Sequence, residues 1–253
     1  MTEPSASARH RSHPGRSRGA LALAGAVAVL VTLSGCAAAA PGRPAGVPAT
    51  EPAPTAEPGD TVAVFLGDSY TEGWGASTPE KRWSSLVAAD AGWVELNQGQ
   101  GGTGFVTTAG VGGCGLDYCP TYLERVPDVI ETGADVVLIA GGQNDQRAMI
   151  ADPGAVQDAV DETYRRIREG LPQARLVAVG PSTAQAVGPV IEKIDSWVRA
   201  AATREGAEYL SLIDPVVITP DMVTVDGVHV NDLGHRAIAD RVLETVAPDA
   251  VGG

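Results

Sequence analysis

The sequence predicts an α/β protein: a parallel β-sheet with helices on both faces. Three observations lead there. Short runs rich in Val, Ile and Leu alternate with segments of helical period, strand before helix each time. One run, Asp-Val-Val-Leu-Ile-Ala at 135–140, is apolar without alternation, as a strand covered on both faces should be. Polar, mostly Gly-containing clusters follow several strand candidates, where open α/β sheets place their ligands.

The elements follow in order. Residues 61–66 form a strand candidate through Val62, Val64 and Phe65. Residues 77–91 read as a helix, with Pro79 near its start and Trp83, Leu86 and Val87 on one face. A second short strand spans 93–96, and a Gly-rich loop runs to about Pro120. A helix at 121–131 leads into the buried strand at 135–140. Helix 153–170, strand 175–179, helix 188–205, strand 208–212 and helix 234–246 complete the pattern. Strand–helix–strand crossovers of this kind are right-handed, so the helices divide between the two faces.

The N-terminus belongs to a different layer of organisation. Residues 1–19 are polar and carry Arg9, Arg11, Arg16 and Arg18. An apolar run from Ala20 to Leu33 follows, too short to span a bilayer well, and then Ser34, Gly35 and Cys36. Residues 1–35 are therefore expected to be a signal peptide; the arginines are not adjacent, so a twin-Arg signal is not indicated. Leu33-Ser34-Gly35-Cys36 resembles the bacterial lipobox, which implies lipidation of Cys36. Residues 36–59, almost wholly Ala, Pro, Gly, Thr and Glu, read as a tether. A single domain is expected over 60–253, its folded part ending near Pro248.

Charge and cysteines narrow the setting. The whole chain carries −13; the four Arg and one Glu of residues 1–35 contribute +3, which leaves −16 on the remainder. A surface of that sign repels nucleic acid and anionic headgroups, so membrane attachment is expected through the lipid alone. The expected location is the outer face of the bacterial cell membrane, or the secreted pool, and a monomer is expected. With Cys36 lipidated, Cys114 and Cys119 remain as a local pair that an oxidising compartment favours as a disulfide. No further Cys and no nearby His completes a metal site around them, and no cofactor is called for.

Four polar clusters converge on one edge of such a sheet: Gly67-Asp68-Ser69-Tyr70-Thr71, Asn97-Gln98-Gly99-Gln100-Gly101-Gly102, Gly141-Gly142-Gln143-Asn144-Asp145, and Asp226-Gly227-Val228-His229. Their chemistry is complementary. A Ser hydroxyl is a weak nucleophile until a base takes its proton, and His is the usual base near neutral pH. Past the signal peptide only His229 and His235 remain. His235 opens an amphipathic helix and reads as a capping or packing residue. His229 stands three residues after Asp226, whose carboxylate can fix its tautomer. Glycine amides and an Asn side chain can donate to a developing oxyanion.

These blocks resemble those of the SGNH hydrolases, the GDSL-type esterases and lipases. Ser69 in Gly-Asp-Ser-Tyr matches the first block, Gly102 the second, Asn144 in Gly-x-Asn-Asp the third, and Asp226-x-x-His229 the fifth, in order over about 60–248. Tyr70 stands where many members have Leu, a departure expected to bear on substrate more than on chemistry. The resemblance implies a three-layer α/β/α, flavodoxin-like fold with a five-stranded parallel sheet and metal-free ester hydrolysis. It implies a Ser69–His229–Asp226 triad and an oxyanion hole made by Ser69, Gly102 and Asn144. The expected substrate is a small-molecule or glycan ester.

Other readings stay open at this point. Gly99-x-Gly101-x-x-Gly104 has the spelling of a dinucleotide fingerprint, but residues 105–115 open no clear helix and no suitable acid follows about 20 residues on. A non-catalytic binding module on the same fold, and acyl transfer to a sugar hydroxyl, remain alternatives to hydrolysis.

Overall fold

A computed structural model describes residues 55–247. The signal-peptide and lipobox readings, Cys36 included, fall outside the described residues, as does most of the tether.

The elements run β1 (Thr61–Gly67), α1 (Ser69–Glu72), a 3-10 turn at Pro79–Lys81, α2 (Trp83–Ala91), β2 (Trp93–Gly99), α3 (Val111–Cys114), α4 (Tyr122–Glu131) and β3 (Val136–Ala140). A 3-10 turn at Gln143–Asp145 then leads to α5 (Gln146–Ala151), α6 (Pro153–Gly170), β4 (Arg175–Val179), α7 (Pro189–Arg204), β5 (Glu208–Leu210), a 3-10 turn at Pro220–Met222 and α8 (Asp232–Val246). The five strands are all parallel, in the order β2-β1-β3-β4-β5. This is the flavodoxin-like order, with its switch point where β1 lies between β2 and β3.

The sheet is covered on both faces, and the two-residue period of a strand explains how. Ala63, Phe65, Val136, Leu138, Val177 and Val179 point into one core with Trp83 and Val87 of α2 and Ile238 and Val242 of α8. Their neighbours Val64, Leu66, Val137, Ile139, Leu176 and Ala178 point into the other, against α4, α6 and α7. β3 is buried at all five positions, the condition its uninterrupted apolar run predicts. Truncating a fully buried member such as Leu138 to Ala would cost about 2–5 kcal/mol.

The edges differ from the sequence reading. β2 continues past Leu96 to Gly99, pairing Asn97, Gln98 and Gly99 with Phe65, Leu66 and Gly67. Those residues look like loop, yet on the edge strand the Asn97 side chain finds partners: its Nδ2 donates to Thr71 O at 2.6 Å and to Ser84 Oγ at 2.9 Å. β5 stops at Leu210, two residues short, because only three of its residues pair with β4. The helix predicted from 77 starts at Trp83 after the 3-10 turn. α1, α3 and α5 were not predicted; at four to six residues they are too short to show a helical period.

Candidate active site

Ser69 opens α1 directly after β1, so the strand delivers it to the carboxyl edge of the sheet. Asp68 caps that turn, its Oδ1 accepting the Tyr70 N–H at 2.9 Å. Burial pushes the Asp68 carboxyl up to about 7, against the Tyr70 N–H that favours its charge.

The loop before α8 brings His229. Val223 and Val230 pair across it, and Thr224 N–H donates to His229 O at 2.8 Å. Within this turn Asp226 serves backbone and ring at once. Its Oδ1 accepts from Thr224 Oγ1 (2.6 Å), Val228 N (2.8 Å) and His229 N (2.9 Å). Its Oδ2 stands 2.7 Å from His229 Nδ1. Partial desolvation works against the Asp226 charge, but these donors outweigh it and hold the carboxyl well below the usual carboxylate range. An ionised Asp226 takes the Nδ1–H, which leaves the Nε2 lone pair for the serine hydroxyl. His229 Nε2 lies 3.0 Å from Ser69 Oγ. The three residues, up to 160 positions apart in sequence, thus form one hydrogen-bonded chain.

Gly102 and Asn144 lie in the loops after the two strands that flank β1. Gly102 is half-buried in the loop after β2, with φ +77. Asn144 sits in the 3-10 turn after β3 and donates one amide hydrogen to Thr103 O at 2.9 Å, leaving its second for another acceptor. Among the described residues the backbone N–H groups of Ser69 and Gly102 have no acceptor. Free, fixed donors of this kind at a switch point are what an oxyanion needs.

Three further residues hold these loops, and sequence reasoning missed their part. Tyr70 is buried, and its hydroxyl donates to Val228 O at 2.5 Å, tying the Ser69 turn to the His229 loop. The Tyr70 hydroxyl is thus occupied in holding the His229 loop, a part the sequence did not assign to it. Asp145, fully buried, accepts from Phe105 N (2.8 Å), Val106 N (3.1 Å), Thr107 N (3.0 Å) and Thr107 Oγ1 (2.7 Å). Burial pushes its carboxyl up despite these donors. Arg125 is buried beneath the site and donates to Gln98 O, Gly67 O and Thr103 Oγ1, joining the ends of β1 and β2 to the Gly102 loop.

The dinucleotide-like glycines have a packing explanation. A Cβ on Gly99 would lie 2.1 Å from Glu72 N, and one on Gly104 would lie 2.4 Å from Asp145 Oδ2. Both are glycine because protein groups press on them. His235 fits its packing assignment: it is fully buried, its Nε2 lies 3.0 Å from Trp74 O, and its Nδ1 accepts from Trp83 N at 3.3 Å. Burial lowers it to about 4, so it stays neutral. Cys114 and Cys119 form a disulfide, with Cα atoms 6.4 Å apart, in the loop beyond Gly102. Among the described residues no helix is long and apolar enough to cross a membrane.

Comparison with known proteins agrees with this geometry. Residues 65–237 match the model of the GDSL-like Lipase/Acylhydrolase family. The GDSL lipase Rv0518 of Mycobacterium tuberculosis is 29% identical over 208 residues, covering 76% of this chain and 83% of that one. Among solved structures, the psychrotrophic esterase EstA from Pseudoalteromonas superposes with a TM-score of 0.55 at 20% identity, covering 75% of this chain and 98% of that one. Est24, a carbohydrate acetylesterase from Sinorhizobium meliloti, gives 0.54 at 17% identity, with 75% and 99% covered. At these identities the two structures establish the fold.

Proposed function

Since the chain belongs to the GDSL-like Lipase/Acylhydrolase family and is a carboxylic ester hydrolase, we propose that it cleaves esters through an acyl-enzyme on Ser69, with His229 as base and Asp226 as its partner. The observation that carries this reading is the continuous contact from Asp226 Oδ2 to His229 Nδ1 (2.7 Å) and from His229 Nε2 to Ser69 Oγ (3.0 Å).

The steps follow from the geometry. His229 Nε2 takes the proton of Ser69 Oγ as that oxygen attacks the acyl carbonyl carbon. The imidazolium is stabilised by Asp226, which remains ionised. The N–H groups of Ser69 and Gly102 and the spare amide hydrogen of Asn144 receive the oxyanion. His229 returns the proton to the leaving alcohol. It then activates a water that attacks the acyl-enzyme and releases the acid. A glycan hydroxyl in place of that water would give acyl transfer.

For substrate we favour short acyl esters, acetylated glycans among them. Est24 is described as a carbohydrate acetylesterase, and another structural neighbour as a two-domain esterase active on acetylated mannans. The signal peptide, the lipobox and the tether support an exported enzyme anchored through Cys36 outside the membrane. The test is a panel of p-nitrophenyl esters of increasing acyl length and of acetylated oligosaccharides, run on the parent and on Ser69→Ala. Turnover of short esters by the parent alone supports the proposal. Equal turnover by Ser69→Ala sinks the nucleophile assignment.

A further inference from the structure

We propose that Glu72 is a positioning residue for this reaction: its carboxylate holds the Gly102 loop and the indole beside His229 in one register. This rests on the triad reading above.

Glu72 ends α1, the single turn that Ser69 begins. Its Oε2 accepts the Gly101 N–H at 2.7 Å and the Trp74 Nε1–H at 3.0 Å. The first donor immediately precedes Gly102, whose own N–H is unoccupied among the described residues. The second belongs to the ring whose centroid is 5.0 Å from that of His229, tilted by 35°. One oxygen therefore joins the loop assigned to the oxyanion to the aromatic wall of the base.

The surroundings make this a constraint on position rather than a surface ornament. Charge-assisted hydrogen bonds such as these are shorter and about twice as strong as neutral ones. The Trp74 backbone is fixed from two sides, its N–H donating to Ser69 O at 2.9 Å and its carbonyl meeting His235 Nε2 at 3.0 Å. On the Gly101 side the flanks are held, Gln100 N–H by Gly67 O at 3.0 Å and Thr103 by Arg125 and Asn144, but the two residues between them are glycines, 101 and 102. Two successive glycines have wide backbone freedom, so an anchor at Gly101 N–H restrains the peptide plane next to the Gly102 amide from within the segment, where the flanking bonds at Gln100 and Thr103 do not reach. Tyr70, from the same turn, reaches the opposite side by donating to Val228 O. The nucleophile, the base loop and the oxyanion loop are thus all referred to one four-residue helix.

The test compares Glu72→Ala and Glu72→Gln with the parent and with Ser69→Ala, using steady-state hydrolysis of a short p-nitrophenyl ester. Active sites are titrated with a fluorophosphonate, so that rates refer to competent molecules. Glu72→Ala should lose about 10–100-fold in kcat per titrated site, with KM within about threefold, as expected when reacting groups drift by a fraction of an ångström. Glu72→Gln keeps an acceptor oxygen and should recover most of that loss. Parent-like kcat in Glu72→Ala overturns the proposal, as does an equal loss in both variants. A loss confined to the fraction of titratable sites also overturns it, since that marks a purely structural role. Should Ser69→Ala retain activity, the triad reading itself fails, a result separable from all of these.

Discussion

Replacing His235 with Gln should remove a pH-dependent part of the stability and leave a measurable signature. In the native protein His235 is fully buried and neutral, bracketed by Trp83 N–H and Trp74 O. Burial lowers it from about 6.5 to about 4. The unfolded chain therefore binds a proton that the native state refuses between those values. By linkage, native stability falls as pH drops through that window, and the contribution is complete only above about 6.5. At about 1.36 kcal/mol per pH unit, the loss at pH 4 is about 3 kcal/mol. Asp68 works in the opposite direction. Its carboxyl, raised to about 7 by burial, takes up a proton in the native state first, so its effect favours folding as pH falls from 7 toward 4. The parent's own profile mixes the two, and the difference between parent and variant isolates His235. Urea unfolding at intervals from pH 4 to pH 7.5 should show His235→Gln less stable than the parent at pH 7, by about 1–3 kcal/mol for the Trp83 N–H left without an acceptor. That deficit should shrink or reverse by pH 4. Parallel curves for parent and variant would refute the assignment of His235 as a buried neutral base.

Three other outcomes follow from the site. Tyr70→Phe removes the bond to Val228 O and should lower kcat several-fold while costing about 1 kcal/mol in urea unfolding; an unchanged kcat would show that the base loop needs no such tie. Asn144→Ala should reduce kcat by about 10²–10³ with little change in KM, and a change in KM alone would assign Asn144 to substrate binding instead. Cys114→Ser with Cys119→Ser opens a five-residue separation and should lower stability by about 2 kcal/mol while the Ser69 labelling rate holds; equal melting temperatures would contradict it.

How legible these features were in the sequence depended on what their partners are. β4 and α6 have the limits that composition and period predict, because their apolar faces are set by residue type. β3 starts one residue later than expected, at Val136, with Asp135 instead accepting from Val62 N–H through its side chain. The end of β2 was obscured by Asn97 and Gln98, polar residues; the Asn97 side chain finds its partners only once the edge strand has formed. Ser69, His229 and Asp226 stood out because each carries a chemistry that demands the others. Tyr70, Glu72, Asp145 and Arg125 did not, because most of their partners are backbone groups in distant loops. A carbonyl or an amide has no residue-type signature, so neither Tyr70 nor Glu72 announces its partner in sequence. Only the fold, by folding the β2 and β5 connections over α1, reveals what they hold.

The proposed mechanism depends above all on Ser69 as nucleophile, activated by His229. The most direct measurement is intact-mass and peptide mapping after exposure to a fluorophosphonate. One phosphonyl adduct on the peptide bearing Ser69 is expected, formed rapidly in the parent, about 10³-fold or more slowly in His229→Ala, and not at all in Ser69→Ala. Stoichiometric labelling of a different residue, or labelling of Ser69 at the parent rate in His229→Ala, would contradict the account.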